Sequence, residues 1–164
     1  MPPPIAAAGE FGISYRPFTT RDLPFVAELY ASTRRWEVAL TGWPLEVQEA
    51  FLTQQHDAQH SHYSIHYLEG EWLIVECDGQ AIGRLYLNEV GDDLRIVDIS
   101  LIASCRALGF GGAILRDVLG DAHSRGKAVS IHVEKNNPAR RLYARLGFTV
   151  VDDSGVYDLM RAEP

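Results

Sequence analysis

The sequence has little cysteine, no long apolar run and a shortage of positive charge, and each shortage excludes a class of protein. Two cysteines in 164 residues, without a CxxC spacing, exclude a disulfide scaffold and a CxxC zinc or redox motif. No apolar stretch approaches the roughly 20 residues that cross a membrane. The formal net charge of −7 argues against a surface that neutralises nucleic-acid phosphates. We expect a cytoplasmic protein with no nucleic-acid or membrane partner, and the sequence leaves open whether it forms a homodimer.

The composition and length of the chain are typical of one globular domain. Hydrophobic residues make up 46% of the chain, which suffices for one core, and the length argues against two domains. The opening MPPPIAAAGE has neither the basic start nor the long apolar segment of a signal peptide. We predict that residues 1–10 form a disordered tail and that residues 11–164 form a single domain.

The spacing of apolar residues predicts both helices and strands, and therefore an α/β (α+β) fold. A first strand over FGISYRPFT is followed by two helices, of which the second begins near Pro44. Residues 71–102 contain three β-rich runs separated by turn residues, which is typical of an antiparallel meander. A helix, the buried strand AVSIHVE, a short helix near Pro138 and two further strands complete the predicted order.

Three glycines fall within four positions of CRALGFGGAIL, residues 105–115, where a strand ends and a helix begins. A glycine-lined turn before a helix presents free amides and a partial positive charge, which suit a phosphate or pyrophosphate. The nucleotide loop GxxxxGK[ST] is absent, since no Lys-Ser or Lys-Thr follows. The dinucleotide pattern GxGxxG fails because Ile114 occupies its third glycine position, and because the segment follows a fourth strand rather than a first.

With both nucleotide patterns excluded, the segment reads Arg106-x-x-Gly109-x-Gly111-Gly112 between a predicted strand and a predicted helix. This pattern resembles the acyl-CoA pyrophosphate loop of the GNAT family of N-acetyltransferases. The predicted order of elements matches this family. The segment NNPARRLYARLGF is similar to its second motif, an Asn before a helix that carries Leu-Tyr and ends in Gly-Phe. The resemblance covers residues 12–160 and implies a mixed, mostly antiparallel sheet of six to seven strands, splayed between the fourth and fifth, with about four flanking helices.

The resemblance implies that acetyl-CoA is the acetyl donor and cosubstrate. Backbone amides of the glycine segment would bind its pyrophosphate, and the edge of the preceding strand would pair with its pantetheine arm. The residues expected to contact it are Leu101, Ile102, Arg106, Ala107, Leu108, Gly109, Phe110, Gly111, Gly112, Asn136, Asn137, Ala139 and Tyr143.

Two positions depart from the family pattern or leave it ambiguous. Ala107 stands where the family usually has glycine, so either this residue keeps a negative φ or the loop is slightly reshaped. The spacing to Tyr143 selects Asn136 as the family's asparagine, whereas the Asn-Pro pairing selects Asn137. Both asparagines remain candidates, with Asn137 preferred.

The resemblance also implies direct attack of an amine on the thioester, which needs an oxyanion donor, an acid and a base. The N–H of Leu101 is the expected oxyanion donor. Tyr143 is the expected acid for the departing thiolate, unless it is a core residue packed on Phe148. Asp98, a carboxylate in an apolar strand, is either the base or an anchor for a neighbouring strand or loop. Glu37, expected in a loop after the first helix, either binds the amine or relays its proton through water, or is a solvated surface residue.

Four histidines on the second predicted helix, His56, His60, His62 and His66, invite interpretation as a metal site. No HExxH motif occurs and no cysteine or carboxylate completes a ligand set, so we predict no metal. The predicted activity is acetyl transfer from acetyl-CoA to the primary amine of a small-molecule or amino-acid-like acceptor. The alternatives are an acyl-CoA-binding module without turnover and an acetyltransferase that modifies proteins or peptides.

Overall fold

The computed structural model describes residues 1–164 and contains seven strands and four helices. The strands are β1 (Ile13–Pro17), β2 (Glu71–Cys77), β3 (Gln80–Val90), β4 (Asp93–Leu101), β5 (Ala128–Glu134), β6 (Thr149–Ser154) and β7 (Tyr157–Ala162). The helices are α1 (Leu23–Ala39), α2 (Leu45–His66), α3 (Phe110–Ser124) and α4 (Arg140–Arg145). This is the fold class predicted from the sequence. None of the helices has the combination of length and apolar character that crossing a membrane requires.

All strands form one sheet with the order β1-β2-β3-β4-β5-β7-β6. Every neighbouring pair is antiparallel except β4 and β5, which are parallel. The predicted meander is present as β2, β3 and β4. Its first turn is a tight hairpin in which Asp78 and Gly79 have φ values of +50° and +78°, the left-handed pair that matches the twist of the flanking strands.

Helices cover both faces of the sheet, and the alternation along β3 shows which helix lies on which face. Leu85 and Leu87 belong to the main core cluster, to which α3 contributes residues such as Ile114. Arg84 and Tyr86, one position out of phase, contact side chains of α2. Since successive side chains of a strand point to opposite faces, α3 packs on one face and α2 on the other.

The sheet opens between β4 and β5, as predicted. Asp93 to Ile96 of β4 pair with Ala128 to Ile131 of β5, and the pairing stops there. A bulge at Val97 shifts the register of β4 against β3, since Leu87 pairs with Ile96 but Tyr86 pairs with Asp98. Beyond the bulge β4 remains paired with β3 and β5 with β7, so a wedge-shaped gap separates residues 97–101 from residues 132–134.

The bulge also changes which residues of β4 face the core. Leu94 and Ile96 pack in the main core, as do Ile99 and Leu101 on the other side of the bulge. A strict period of two would not place even and odd positions on one face. The extra residue resets the alternation, so that Asp98 and the residue two positions later face α2 rather than the core.

The segment predicted as a disordered tail contacts the domain at both of its ends, since the terminal ammonium of Met1 lies 2.5 Å from a carboxylate oxygen of Glu71. Backbone N–H groups of Ala6, Ala7 and Ala8 donate to the carboxylate of Asp117 on α3, and Ala8–Phe11 forms a 3-10 turn. The prediction followed from the lack of signal-peptide features in MPPPIAAAGE. The attachment uses backbone donors, which any sequence supplies.

Candidate active site

The glycine segment places free backbone amides at the end of the gap between β4 and β5. α3 begins at Phe110, with Gly109 at its N-cap position in the left-handed region. The first intrahelical hydrogen bond runs from the N–H of Ala113 to the carbonyl of Gly109, at 3.0 Å. The N–H groups of Phe110, Gly111 and Gly112 therefore have no partner within the helix. Three amides at the positive end of a helix dipole fit an anionic group such as a pyrophosphate.

The first turn of α3 lies close to both β4 and α4. A Cβ added at Gly111 would lie 4.0 Å from side-chain atoms of both Leu101 and Leu142. A Cβ added at Gly112 would lie 3.5 Å from Leu142. The end of β4, the first turn of α3 and the helix that carries Tyr143 therefore meet at one place.

Arg106 and Ala107 shape the loop that enters this turn. Arg106 donates from Nε to the carbonyl oxygen of Leu101 at 2.9 Å, which folds the loop back on β4. Ala107 has φ of +57°, so the first alternative for this residue, a negative φ, is wrong. Alanine here adopts the left-handed conformation that glycine reaches without steric cost. Leu108, the next residue, is exposed.

Replacing Ala107 with glycine is expected to raise the free energy of unfolding by about 0.5–1 kcal/mol, because relief of the left-handed alanine outweighs the extra freedom of glycine in the unfolded chain. Chemical denaturation measures this change. The control is Ala50→Gly at an exposed position within α2, where glycine is expected to cost about 1 kcal/mol. A loss of stability in Ala107→Gly would contradict the expectation.

Leu101, but not Ile102, has its amide directed into the gap. Ile102 donates its N–H to the carbonyl of Ile82 on β3, at 2.8 Å. Because N–H directions alternate along an antiparallel strand, the N–H of Leu101 points away from β3 and towards the space left by β5. Of these two residues predicted to contact the cofactor through their amides, only Leu101 has its N–H free for that contact.

Tyr143 combines a packed ring with a protonated hydroxyl. The residue is 5% exposed, and its ring packs edge-on against Phe148 with 5.7 Å between centroids. Burial, and then the negative charge of Asp98, raises the pKa of Tyr143 to about 12. The phenol is therefore protonated at neutral pH and lies within the electrostatic influence of a β4 carboxylate.

The asparagines before α4 have different positions. Asn137 accepts the N–H of Ala139 on its side-chain oxygen at 2.9 Å, which starts the turn into α4. The backbone N–H of Ala139, another predicted cofactor residue, is thus already bonded within the chain. Asn136 is exposed, and we keep it as a candidate contact for the cofactor.

Asp98 is held by four donors. Oδ1 accepts from Nε of Arg84 at 3.2 Å and from the hydroxyl of Ser100 at 2.9 Å. Oδ2 accepts from Nη2 of Arg84 at 2.8 Å and from the hydroxyl of Tyr63 at 3.1 Å. These donors occupy both carboxylate oxygens of Asp98. These contacts favour the anchor interpretation, in which Asp98 ties β4 to β3 and α2.

Glu37 lies in the last turn of α1 rather than in the loop that was expected, because α1 continues to Ala39. Nη1 of Arg34 lies 3.3 Å from Glu37, and Nη2 of the same side chain lies 3.0 Å from Glu134 at the end of β5. The hydroxyl of Tyr157 approaches Glu134 at 3.4 Å. Neither Arg34 nor Glu134 is among the site residues predicted from the sequence. The alternation of β5 places the side chain of Glu134 on the other face of the strand from the buried Val133. This alternation was the signal from which Glu134 could have been predicted.

The four histidines of α2 do not converge on one site. His56 is 2% exposed and neither of its ring nitrogens has a hydrogen-bond partner. It stacks with His60 at 6.1 Å, while His62 and His66 form a separate pair at 4.3 Å. The structure has no group of three or more His, Cys, Asp or Glu side chains positioned to hold a metal ion.

The buried His56 is expected to make stability depend on pH. Burial, and then the charges of Arg84 and His60, lowers its pKa from the ordinary value of 6.5. Below about pH 6.5, His56 is therefore protonated in the unfolded chain but stays neutral in the folded chain. The free energy of unfolding is highest above this pH and decreases as the pH falls below it. The groups that surround His56 are Tyr30 on α1, Asp57 and His60 on α2, Arg84 on β3 and Asp98 on β4.

Between about pH 7.5 and about pH 5.5 the free energy of unfolding is expected to fall by up to about 1.4 kcal/mol on account of His56. Urea denaturation at the two pH values measures the difference. His56→Phe keeps an aromatic ring beside Tyr30 and is expected to remove this part of the dependence. His132, whose pKa is lowered by burial and by Arg95, contributes in the same direction and remains in the variant. An unchanged pH dependence in His56→Phe would refute the assignment.

A sheet that opens between two parallel strands, with a glycine-lined helix N-terminus at the opening, is the arrangement that the resemblance to acetyl-CoA-dependent N-acetyltransferases implied. Residues 29–148 match the model of the acetyltransferase (GNAT) family, and because this match spans well over half of the chain, the protein belongs to the GNAT family. The resemblance seen in the sequence is thereby confirmed. As a member, the protein is an N-acetyltransferase that uses acetyl-CoA. Comparison with curated protein sequences gives no match.

Solved structures with the same fold include complexes with the cofactor. PaiA N-acetyltransferase from Thermoplasma acidophilum, bound to coenzyme A, has 17% sequence identity and a TM-score of 0.70, over 93% of this chain and 99% of that one. A GNAT acetyltransferase from Elizabethkingia anophelis, bound to acetyl-CoA, has 17% identity and a TM-score of 0.60, over 93% and 99%. A phosphinothricin N-acetyltransferase homologue has 19% identity and a TM-score of 0.62, over 92% and 98%. At these identities the likeness establishes the fold.

Proposed function

We propose that the protein transfers the acetyl group of acetyl-CoA to the primary amine of a small-molecule or amino-acid-like acceptor, with Tyr143 as the general acid. The observation that carries this proposal is the meeting of three elements at the gap: the N–H of Leu101, the free amides that start α3, and the helix bearing Tyr143. Free thiols at Cys77 and Cys105 support a cytoplasmic location, where cysteines stay reduced.

Each residue at the gap has a distinct task on the donor side. Acetyl-CoA supplies the thioester. The amides of Phe110, Gly111 and Gly112 hold its pyrophosphate, and the edge of β4 beyond Val97 holds the pantetheine arm as an added strand would. The N–H of Leu101 donates to the carbonyl oxygen as negative charge develops there. When the C–S bond breaks and the C–N bond forms, the hydroxyl of Tyr143 gives its proton to the thiolate sulfur.

On the acceptor side, Glu37 and Glu134 supply negative charge beside the wide end of the gap. Both pair with Arg34, so the cluster carries one positive and two negative side chains. The excess negative charge attracts an ammonium group, and a carboxylate takes the proton released when the amine attacks, directly or through water. Asp98 acts as the anchor that fixes β4 and leaves this proton transfer to the α1 and β5 carboxylates.

The test is an acceptor screen that measures release of free coenzyme A from acetyl-CoA. We expect turnover with one or more of the polyamines, amino acids and aminoglycosides, and none with peptides that present only a backbone N-terminus or a lysine. Turnover confined to peptides would replace the proposal with protein acetylation. Tight acetyl-CoA binding without turnover on any acceptor would favour the binding-module alternative.

A further inference from the structure

Residues 6–12, here called the N-terminal brace, are bound to the middle of α3 through one buried carboxylate. Asp117 is 7% exposed. Its Oδ2 accepts the N–H groups of Ala6 and Ala8 at 3.0 and 2.9 Å, and its Oδ1 accepts that of Ala7 at 2.8 Å. Hydrogen bonds to a charged acceptor are among the stronger ones in proteins. A buried carboxylate without them would be costly, so the brace and Asp117 stabilise each other.

The other end of the brace covers the first turn of α3. The ring of Phe11 lies 5.2 Å from the ring of Phe110, centroid to centroid. A Cβ added at Gly109 would lie 3.5 Å from Cζ of Phe11. Phe110 and Asp117 are seven residues apart, which is about two helical turns, so they occupy one face of the helix. The brace follows this face from its middle to its start.

The brace is itself tied to the sheet. The thiol of Cys77 at the end of β2 donates to the carbonyl of Phe11 at 3.3 Å. The N–H of Asp78 donates to the carbonyl of Gly12 at 3.1 Å. The first turn of α3 is therefore connected through Phe11 to the hairpin between β2 and β3.

We propose that the brace positions the first turn of α3 for the cofactor and that Phe11 is a positioning residue for acetyl-CoA binding. The inference depends on the proposed role of the amides at Phe110, Gly111 and Gly112. Those amides bind an anion well only if they are already ordered, because ordering them on binding subtracts from the affinity. The acetyl transfer itself uses none of the residues of the brace.

Phe11→Ala is expected to raise the Kd for acetyl-CoA by about tenfold while kcat at saturating acetyl-CoA stays within about twofold. Phe11→Leu, which keeps apolar bulk over Gly109, is expected to restore most of the affinity. The matched control is Phe51→Ala, which removes a similar aromatic contact, with Trp43 at 5.6 Å, from a helix distant from the loop. Calorimetry gives Kd for each variant without need of an acceptor.

A second variant tests the brace at its other end. Ala7 has φ of −64°, which proline also adopts, so Ala7→Pro removes one donor to Asp117 and leaves the φ of this residue unchanged. Its Kd is expected to rise by about threefold. Hydrogen exchange without ligand is expected to be faster in both variants at the amides of Ala113 and Ile114, the first in α3 that have intrahelical partners.

Wild-type affinity in folded Phe11→Ala and Ala7→Pro would overturn the proposal, as would an equal loss of affinity in Phe51→Ala. A raised Kd in Phe11→Ala with unchanged exchange at Ala113 would also overturn it, because Phe11 would then contact the cofactor directly. Failure of the wild type to bind acetyl-CoA at all would refute the role of the loop, a result distinguishable from failure of the brace alone.

Discussion

Tyr143→Phe is expected to lower kcat by about 10²-fold while leaving the affinity for acetyl-CoA unchanged. The substitution keeps the ring against Phe148 and removes only the hydroxyl, whose proton passes to the leaving thiolate in the proposed mechanism. The loss should appear equally in kcat and in kcat/KM, because the proton transfer occurs in the transition state. Steady-state kinetics on an acceptor from the screen, with calorimetry for acetyl-CoA, provide both measurements.

The matched control is Tyr67→Phe, which removes a phenol hydroxyl just beyond the end of α2 and is expected to keep full activity. The wild-type pH profile adds a second check. Because the pKa of Tyr143 is raised to about 12, the phenol stays protonated through the working range and its ionisation should cause no loss of rate below that pH. A kcat within about twofold of the wild type in Tyr143→Phe would make Tyr143 a packing residue and assign the proton to water or another group.

Gly111→Asp is expected to abolish acetyl-CoA binding without harming the fold. The position is the second residue of α3, where an acidic side chain interacts favourably with the helix dipole by about 0.3–1 kcal/mol. The same carboxylate lies among the amides assigned to the pyrophosphate and repels it. Binding and stability should therefore change in opposite directions, which a merely destabilising substitution would not produce.

Gly120→Asp on the same helix is the control. A Cβ at Gly120 meets no atom within 4 Å, so the same chemical change away from the loop is expected to leave the affinity intact. Calorimetry measures binding and thermal unfolding measures stability for both variants. Acetyl-CoA affinity that survives in Gly111→Asp would move the pyrophosphate away from the start of α3.

Local sequence patterns predicted the structural features that are determined by residues close together in the chain. The three runs of the meander, the turn at Asp78 and the glycine segment are written in stretches of a few residues, and the structure contains all of them. The sequence left open whether Asp98 is a base or an anchor, because the pattern of a single strand does not show which residues contact its side chains. Those partners, Arg84 on β3 and Tyr63 on α2, come from distant parts of the chain.

The contacts that escaped prediction join segments far apart in sequence or use the backbone alone. Arg34 and Glu134 are separated by 100 positions, and no local pattern pairs them. The brace binds Asp117 through amides, which carry no sequence signature. The backbone angle of Ala107 is set by the loop that encloses it, and its positive φ overrides the preference of alanine.

Because acetyl-CoA would bind in the gap between β4 and β5, which exists only in the folded chain, its binding is expected to stabilise the fold. The edge of β4 beyond Ile96 is not paired with β5, and a bound pantetheine arm would pair with this edge. A ligand that binds only the folded chain adds about 2.7 kcal/mol of stability at a concentration about 100 times its Kd. We therefore expect the resistance of this enzyme to heat and to proteases to rise with the concentration of acetyl-CoA around it.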